Sequence, residues 1–128
     1  MSTPDGKVVG NNRIEPILGG RVLRESYSTK GAFAGHSFNS YNAPAKRWEQ
    51  FWVDNSGTVL HLKGGLNEAG EMVLSGERVT AEGTATDRIT WTPNEDGSVR
   101  QHWELSPDHG ETWRTLFDGT YRLKSAEK

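Results

Sequence analysis

Polar side chains set among aromatic ones are where this sequence could do chemistry. Glu25 lies between Leu23 and Tyr27, Gln50 between Trp48 and Trp52, and Gln101 between Val99 and Trp103, each at a spacing of two. That spacing puts each trio on one face of an extended chain. A carboxyl group on an apolar face is costly unless paired or protonated, and burial raises its pKa. Glu25 with Tyr27 is therefore the one acid/base arrangement to entertain, a desolvated carboxylate acting as base towards a bound small molecule. Arg24 or Arg88 would pair with Glu25 if either strand faced the other way. The same residues can instead serve binding, with aromatic walls around an apolar body and a few polar groups orienting it. The set expected to line such a cavity is Glu25, Tyr27, Gln50, Trp52, Trp91, Gln101, Trp103, Trp113 and Phe117. The bland alternative is a filled core in which Glu25 and the amides bond one another or buried water.

Other chemistries find little support. His36, His61, His102 and His109 form no spaced metal-binding pair, so no metal is expected. There is no cysteine, no G-x-S-x-G elbow and no glycine loop opening a helix, and no cofactor is expected. Ser106-Pro107-Asp108-His109-Gly110-Glu111-Thr112-Trp113 resembles the Asp-box, a hairpin motif of sialidase propellers and several unrelated folds. Its chemistry is local: the Asp accepts backbone N–H groups, the Gly takes a positive φ and the Trp packs beneath the turn. A single copy argues for a stable hairpin and against a propeller.

The elements that must position these residues read as strands. From Ser98 to Lys124 two long alternating segments flank that turn, with Val99, Gln101, Trp103 and Leu105 on one face. Trp113, Thr115, Phe117, Gly119, Tyr121 and Leu123 are expected to share a face beyond it. Upstream, Met1–Gly6 is expected to be frayed, and Lys7–Ile17 is a weaker strand with Val8 and Ile14 inward. Arg21–Ser28, His36–Tyr41, Arg47–Asp54, Thr58–Gly64, Glu71–Thr80 and Thr84–Pro93 follow, punctuated by Gly19-Gly20, Asn55-Ser56-Gly57, Asn67–Gly70 and Asn94–Gly97. Inward candidates are Leu60, Leu62, Met72, Leu74, Ile89 and Trp91. About nine strands at this spacing, with short connections and no helical period, predict an all-β, antiparallel up-and-down meander barrel with little or no helix. Closure would remove two long edges.

The 128 residues suit one domain with one core, residues 1–128. Net charge is −2 with both signs interspersed, which argues against nucleic acid as partner. Neither a signal-peptide pattern nor a membrane-spanning run is present, so a cytoplasmic, non-membrane protein is expected. Hydrophobic residues make up only 33%, yet five are Trp, so the core is expected to rest on few, large side chains.

Several stretches carry a resemblance over nearly the whole chain, Lys7 to Arg122. They are Arg13-Ile14-Glu15-Pro16-Ile17-Leu18-Gly19-Gly20 through Glu25; Tyr41, Arg47-Trp48 and Trp52-Val53-Asp54 with Gly57; and Arg100 to Glu104, Asp108, Gly110, Thr112-Trp113 and Phe117 to Tyr121. Together they are similar to a family of small bacterial lipocalin-like (calycin-type) domains of unknown function. The resemblance implies a meander barrel with an internal cavity and carries no catalytic residues. Members usually begin with an extra aromatic strand ahead of the position of Thr3. Its lack here leads to the expectation of nine-strand closure, or of a homodimer formed by strand pairing. The function expected is binding of a small apolar or aromatic ligand. The alternative is a cofactor-free isomerase, cyclase or hydrolase using Glu25.

Overall fold

The computed structural model describes residues 10–29 and 31–122. Val8, Leu123 and the expected fraying of Met1–Gly6 lie outside the described residues. Nine strands run in chain order: β1 (Gly10–Ile17), β2 (Val22–Thr29), β3 (Ala34–Asn42), β4 (Arg47–Asp54), β5 (Val59–Leu66), β6 (Met72–Thr80), β7 (Gly83–Pro93), β8 (Val99–Ser106) and β9 (Arg114–Tyr121). Each pairs antiparallel with the next in a single sheet ordered β1 to β9, the meander that the alternation predicts. The sheet curls into a half-barrel. Among the described residues no ladder joins β9 to β1. The only helical turn among them is the three-residue 3-10 turn Leu18–Gly20, where both glycines take positive φ.

Turn chemistry fixes the register. The β4–β5, β5–β6 and β7–β8 hairpins share one scheme. In the last, Asn94 N–H bonds the Ser98 carbonyl at 2.8 Å and Gly97 N–H bonds the Asn94 carbonyl at 3.1 Å. Gly57, Gly70 and Gly97 supply the positive φ of 92°, 81° and 86° that such a turn requires.

Alternation then sends one face of every strand into the hollow. Leu60, Leu62, Leu74 and Ile89 form the buried cluster, and Trp48, Trp52, Met72, Trp91 and Trp103 pack against it. Each fully buried aliphatic contributes roughly 2 kcal/mol. The β5–β6 ladder is short, from Lys63↔Ser75 to Leu66↔Met72. There the backbones pass closely: a Cβ on Gly76 would sit 2.3 Å from the His61 carbonyl oxygen. Only glycine fits that approach.

Among the described residues, regular alternation breaks in β9. Trp103 pairs with Phe117 but Glu104 pairs with Thr115, leaving Leu116 as an extra residue. This β-bulge resets which side chains face inward before residue 117. The face expected to run unbroken from Trp113 to Tyr121 is therefore split. Phe117, Gly119 and Tyr121 point with Gln101 and Trp103 into the hollow, whereas Arg114 lies opposite inward Leu105 and Thr115 opposite outward Glu104.

Candidate functional site

A cavity of about 440 Å³ occupies the middle of the half-barrel. Its walls are Glu25, Tyr27 and Thr29 of β2, Gln50 and Trp52 of β4, Leu60 of β5, Ile89 of β7, Gln101 and Trp103 of β8, and Leu116, Phe117 and Tyr121 of β9, with Phe33 from the β2–β3 loop. The structure thus gathers Glu25, Tyr27, Gln50, Trp52, Gln101, Trp103 and Phe117 around one space.

Two expected lining residues lie elsewhere. Trp91 faces inward but sits one step along β7 from Ile89, opposite Met72 and Gln101, and packs on the aliphatic cluster outside the cavity. Trp113 is on the outer face because the Leu116 bulge reverses the alternation before it. Its indole N–H donates to the Gly110 carbonyl at 3.1 Å, and the Arg88 guanidinium lies 3.9 Å above its ring. The rest of that turn matches the motif. Asp108 accepts Thr112 N–H at 2.8 Å and Thr112 Oγ1–H at 2.5 Å, and Gly110 has φ 93°.

The polar groups of the cavity are organised from β1 to β4. Ser37 Oγ donates to Glu25 Oε1 at 2.6 Å, and Asn12 Nδ2 donates to Glu25 Oε2 at 2.8 Å. Asn39 Nδ2 donates to Ser37 Oγ at 2.9 Å, and Gln50 Nε2 donates to Asn39 Oδ1 at 2.8 Å. This chain ties buried Gln50 to Glu25 across three strands and satisfies the carboxylate without an arginine. Arg24 instead donates to Glu15 Oε1 at 2.7 Å, and Arg88 to Glu104 Oε1 at 3.1 Å, both on the outer face. Neither strand is reversed, so the condition for pairing Glu25 with either arginine is not met, and hydroxyl and amide donors hold the carboxylate instead.

Two phenols face Glu25. Burial, and then the Glu25 charge, raises the pKa of Tyr27. Burial drives that of Tyr121 far above its ordinary value, reinforced by Glu25 and Tyr27. Both stay protonated, so they are donors. Tyr121 spends its proton on Gln101 Oε1 in a short hydrogen bond. Neither the Tyr27 hydroxyl nor Gln101 Nε2 donates to a described residue, so these two donors face the cavity uncommitted. The indole N–H groups are committed: Trp52 donates to Asp54 Oδ2 at 2.9 Å and Trp103 to Asp87 Oδ1 at 2.8 Å. The tryptophans thus contribute apolar surface to the cavity and not hydrogen bonds.

Among the described residues no three His, Asp or Glu side chains gather where they could hold a metal ion. No helix there is long and apolar enough to cross a membrane. The alternation of Phe117, Gly119 and Tyr121 already marked Tyr121 as an inward neighbour of Gln101. Thr29 and Phe33 had no such signal, since they sit at the end of β2 and just ahead of β3, beyond the alternating runs. Compared with models of known protein families, with curated proteins and with solved structures, the chain matches none.

Proposed function

We propose that the chain is a binding protein whose half-barrel holds one small, largely apolar or aromatic ligand. The observation that carries this reading is the combination, in one cavity of about 440 Å³, of aromatic and aliphatic walls with two uncommitted donors. That volume suits a ligand of one or two fused rings, and the Tyr27 hydroxyl and Gln101 amide would orient a carbonyl or ether oxygen on it. The Ser37–Asn39–Gln50 chain holds Glu25 in place, so the polar wall is set before a ligand arrives, which limits the ordering cost of binding.

N-phenyl-1-naphthylamine, an uncharged fluorophore that joins a naphthyl and a phenyl ring, tests this. Saturable one-to-one enhancement of its emission with quenching of tryptophan fluorescence is expected, weakened by Thr29→Trp, which adds bulk to the cavity wall. Absence of saturable binding by the folded protein refutes the reading. The cofactor-free enzyme alternative keeps Glu25 as its base. Both Glu25 oxygens already accept hydrogen bonds, an arrangement that suits a fixed wall better than a proton shuttle. Glu25→Gln separates the two, because binding would survive it and turnover would not.

A further inference from the structure

A second space opens at the end of the hollow formed by the β6–β7 turn and the start of β9. It has a volume of about 500 Å³ and meets the central cavity at Leu116, which lines both. Its character is different. Arg78 of β6 and Arg114 of β9 border it together with Thr80 and Thr84. Arg78 sits beside buried Asp87, its Nε 2.8 Å from Oδ2, and its terminal nitrogens meet no described partner. Arg114 is exposed and has no ion pair or hydrogen bond among the described residues. The bulge explains why it is here: were the β8–β9 ladder regular through Leu116, Arg114 would be on the outer face among carboxylates such as Glu104. The opposing charges are Asp87, which already faces Arg78, and Glu82 in the β6–β7 turn. Trp103 links the apolar cavity to Arg78, since it lines that cavity while its indole N–H donates to the other oxygen of Asp87.

Building on the binding function, we propose that the ligand is an amphipathic anion: its apolar body fills the central cavity, and its carboxylate or sulfonate is held by Arg114 with the free terminal nitrogens of Arg78. A planar guanidinium with no partner at the rim of an apolar cavity is suited to a two-oxygen acid group. Thr80 and Thr84 hydroxyls supply further donors.

A matched pair of probes tests the proposal. 8-Anilinonaphthalene-1-sulfonate carries the ring skeleton of N-phenyl-1-naphthylamine plus one sulfonate. The sulfonated probe should bind the full chain more tightly than the neutral one. Arg114→Gln, at an exposed position, should weaken it roughly tenfold or more and leave the neutral probe within about twofold, as expected for loss of one charge-assisted contact. Glu82→Gln should tighten the sulfonated probe alone. Equal affinities for both probes, or Arg114→Gln weakening both alike, overturns the anion site while the apolar cavity stands. Failure of the neutral probe to bind the wild-type chain overturns the cavity reading and this proposal with it.

Discussion

Replacing Asp87 by alanine should be among the most damaging single changes to this fold. Asp87 is completely buried and holds the Trp103 indole N–H at 2.8 Å on one oxygen and Arg78 Nε at 2.8 Å on the other. Truncation strands a half-buried indole donor, at about 1–2 kcal/mol. It also leaves Arg78 without its counter-charge. A fully buried pair broken this way loses about 3–5 kcal/mol, but Arg78 is 24% exposed and recovers part of that from water. The sum is about 3 kcal/mol, which at a urea dependence near 2 kcal/mol per molar moves the midpoint down by roughly 1.5 M. Asp87→Asn also removes the counter-charge but keeps an acceptor for Trp103, so it should cost less, about 2 kcal/mol. The assay is urea unfolding followed by tryptophan fluorescence. An Asp87→Ala loss below about 1 kcal/mol, or equal losses for the two variants, refutes the network. The pH dependence supplies a second check with a definite sign. Burial raises the Asp87 pKa above 3.8, outweighing the hydrogen bond from Trp103 and the charge of Arg78. The folded state then binds its proton more tightly, so wild type should gain stability over Asp87→Asn as pH falls through the raised pKa towards 3.8. A gap that narrows on acidification contradicts that account.

Asp108 should behave in the opposite sense. Hydrogen bonds from Thr112 and Ser106 hold its pKa at about 2, so its contribution is fully present above 3.8 and lost as pH falls through about 2. The stability difference between wild type and Asp108→Asn should therefore close over that interval, as thermal unfolding at stepped pH would show. Gly76→Ala places a Cβ 2.3 Å from the His61 carbonyl oxygen and should cost about 1–3 kcal/mol. Gly65→Ala meets nothing within 4 Å and should stay within about 0.5 kcal/mol in the same denaturation assay.

What the sequence disclosed comes from the period of two. Wherever the strands are regular, alternation places side chains correctly: Leu23, Glu25 and Tyr27, or Trp48, Gln50 and Trp52, share the inner face as their spacing demands. The three glycine turns announce themselves for the same local reason, since each needs a positive φ. Trp113 shows where this logic stops. A bulge is a choice between strand partners, and no residue around Leu116 signals it, so unbroken alternation sets the tryptophan of the turn motif on the wrong side. Trp91 fails differently. Its face is legible, but distance along the barrel axis is not encoded in alternation, and a position one step from Ile89 falls outside the cavity. The Arg78–Arg114 rim is hidden by both effects together, because it needs the bulge and the placing of Arg78 of β6 and the start of β9 around one space.

The extra residue in β9 also bears on how this chain can tolerate changes in length. Losing a residue within a strand ordinarily turns everything beyond it inside out, exchanging core for solvent along the whole segment. Position 116 is exempt. Because Leu116 has no opposite number on β8, its removal would leave Arg114 across from Leu105 and Phe117 across from Trp103, with both surfaces of the strand intact. A deletion farther along the strand would have no such refuge, so natural or engineered deletions that keep both the aromatic lining and the basic rim should cluster at this bulge.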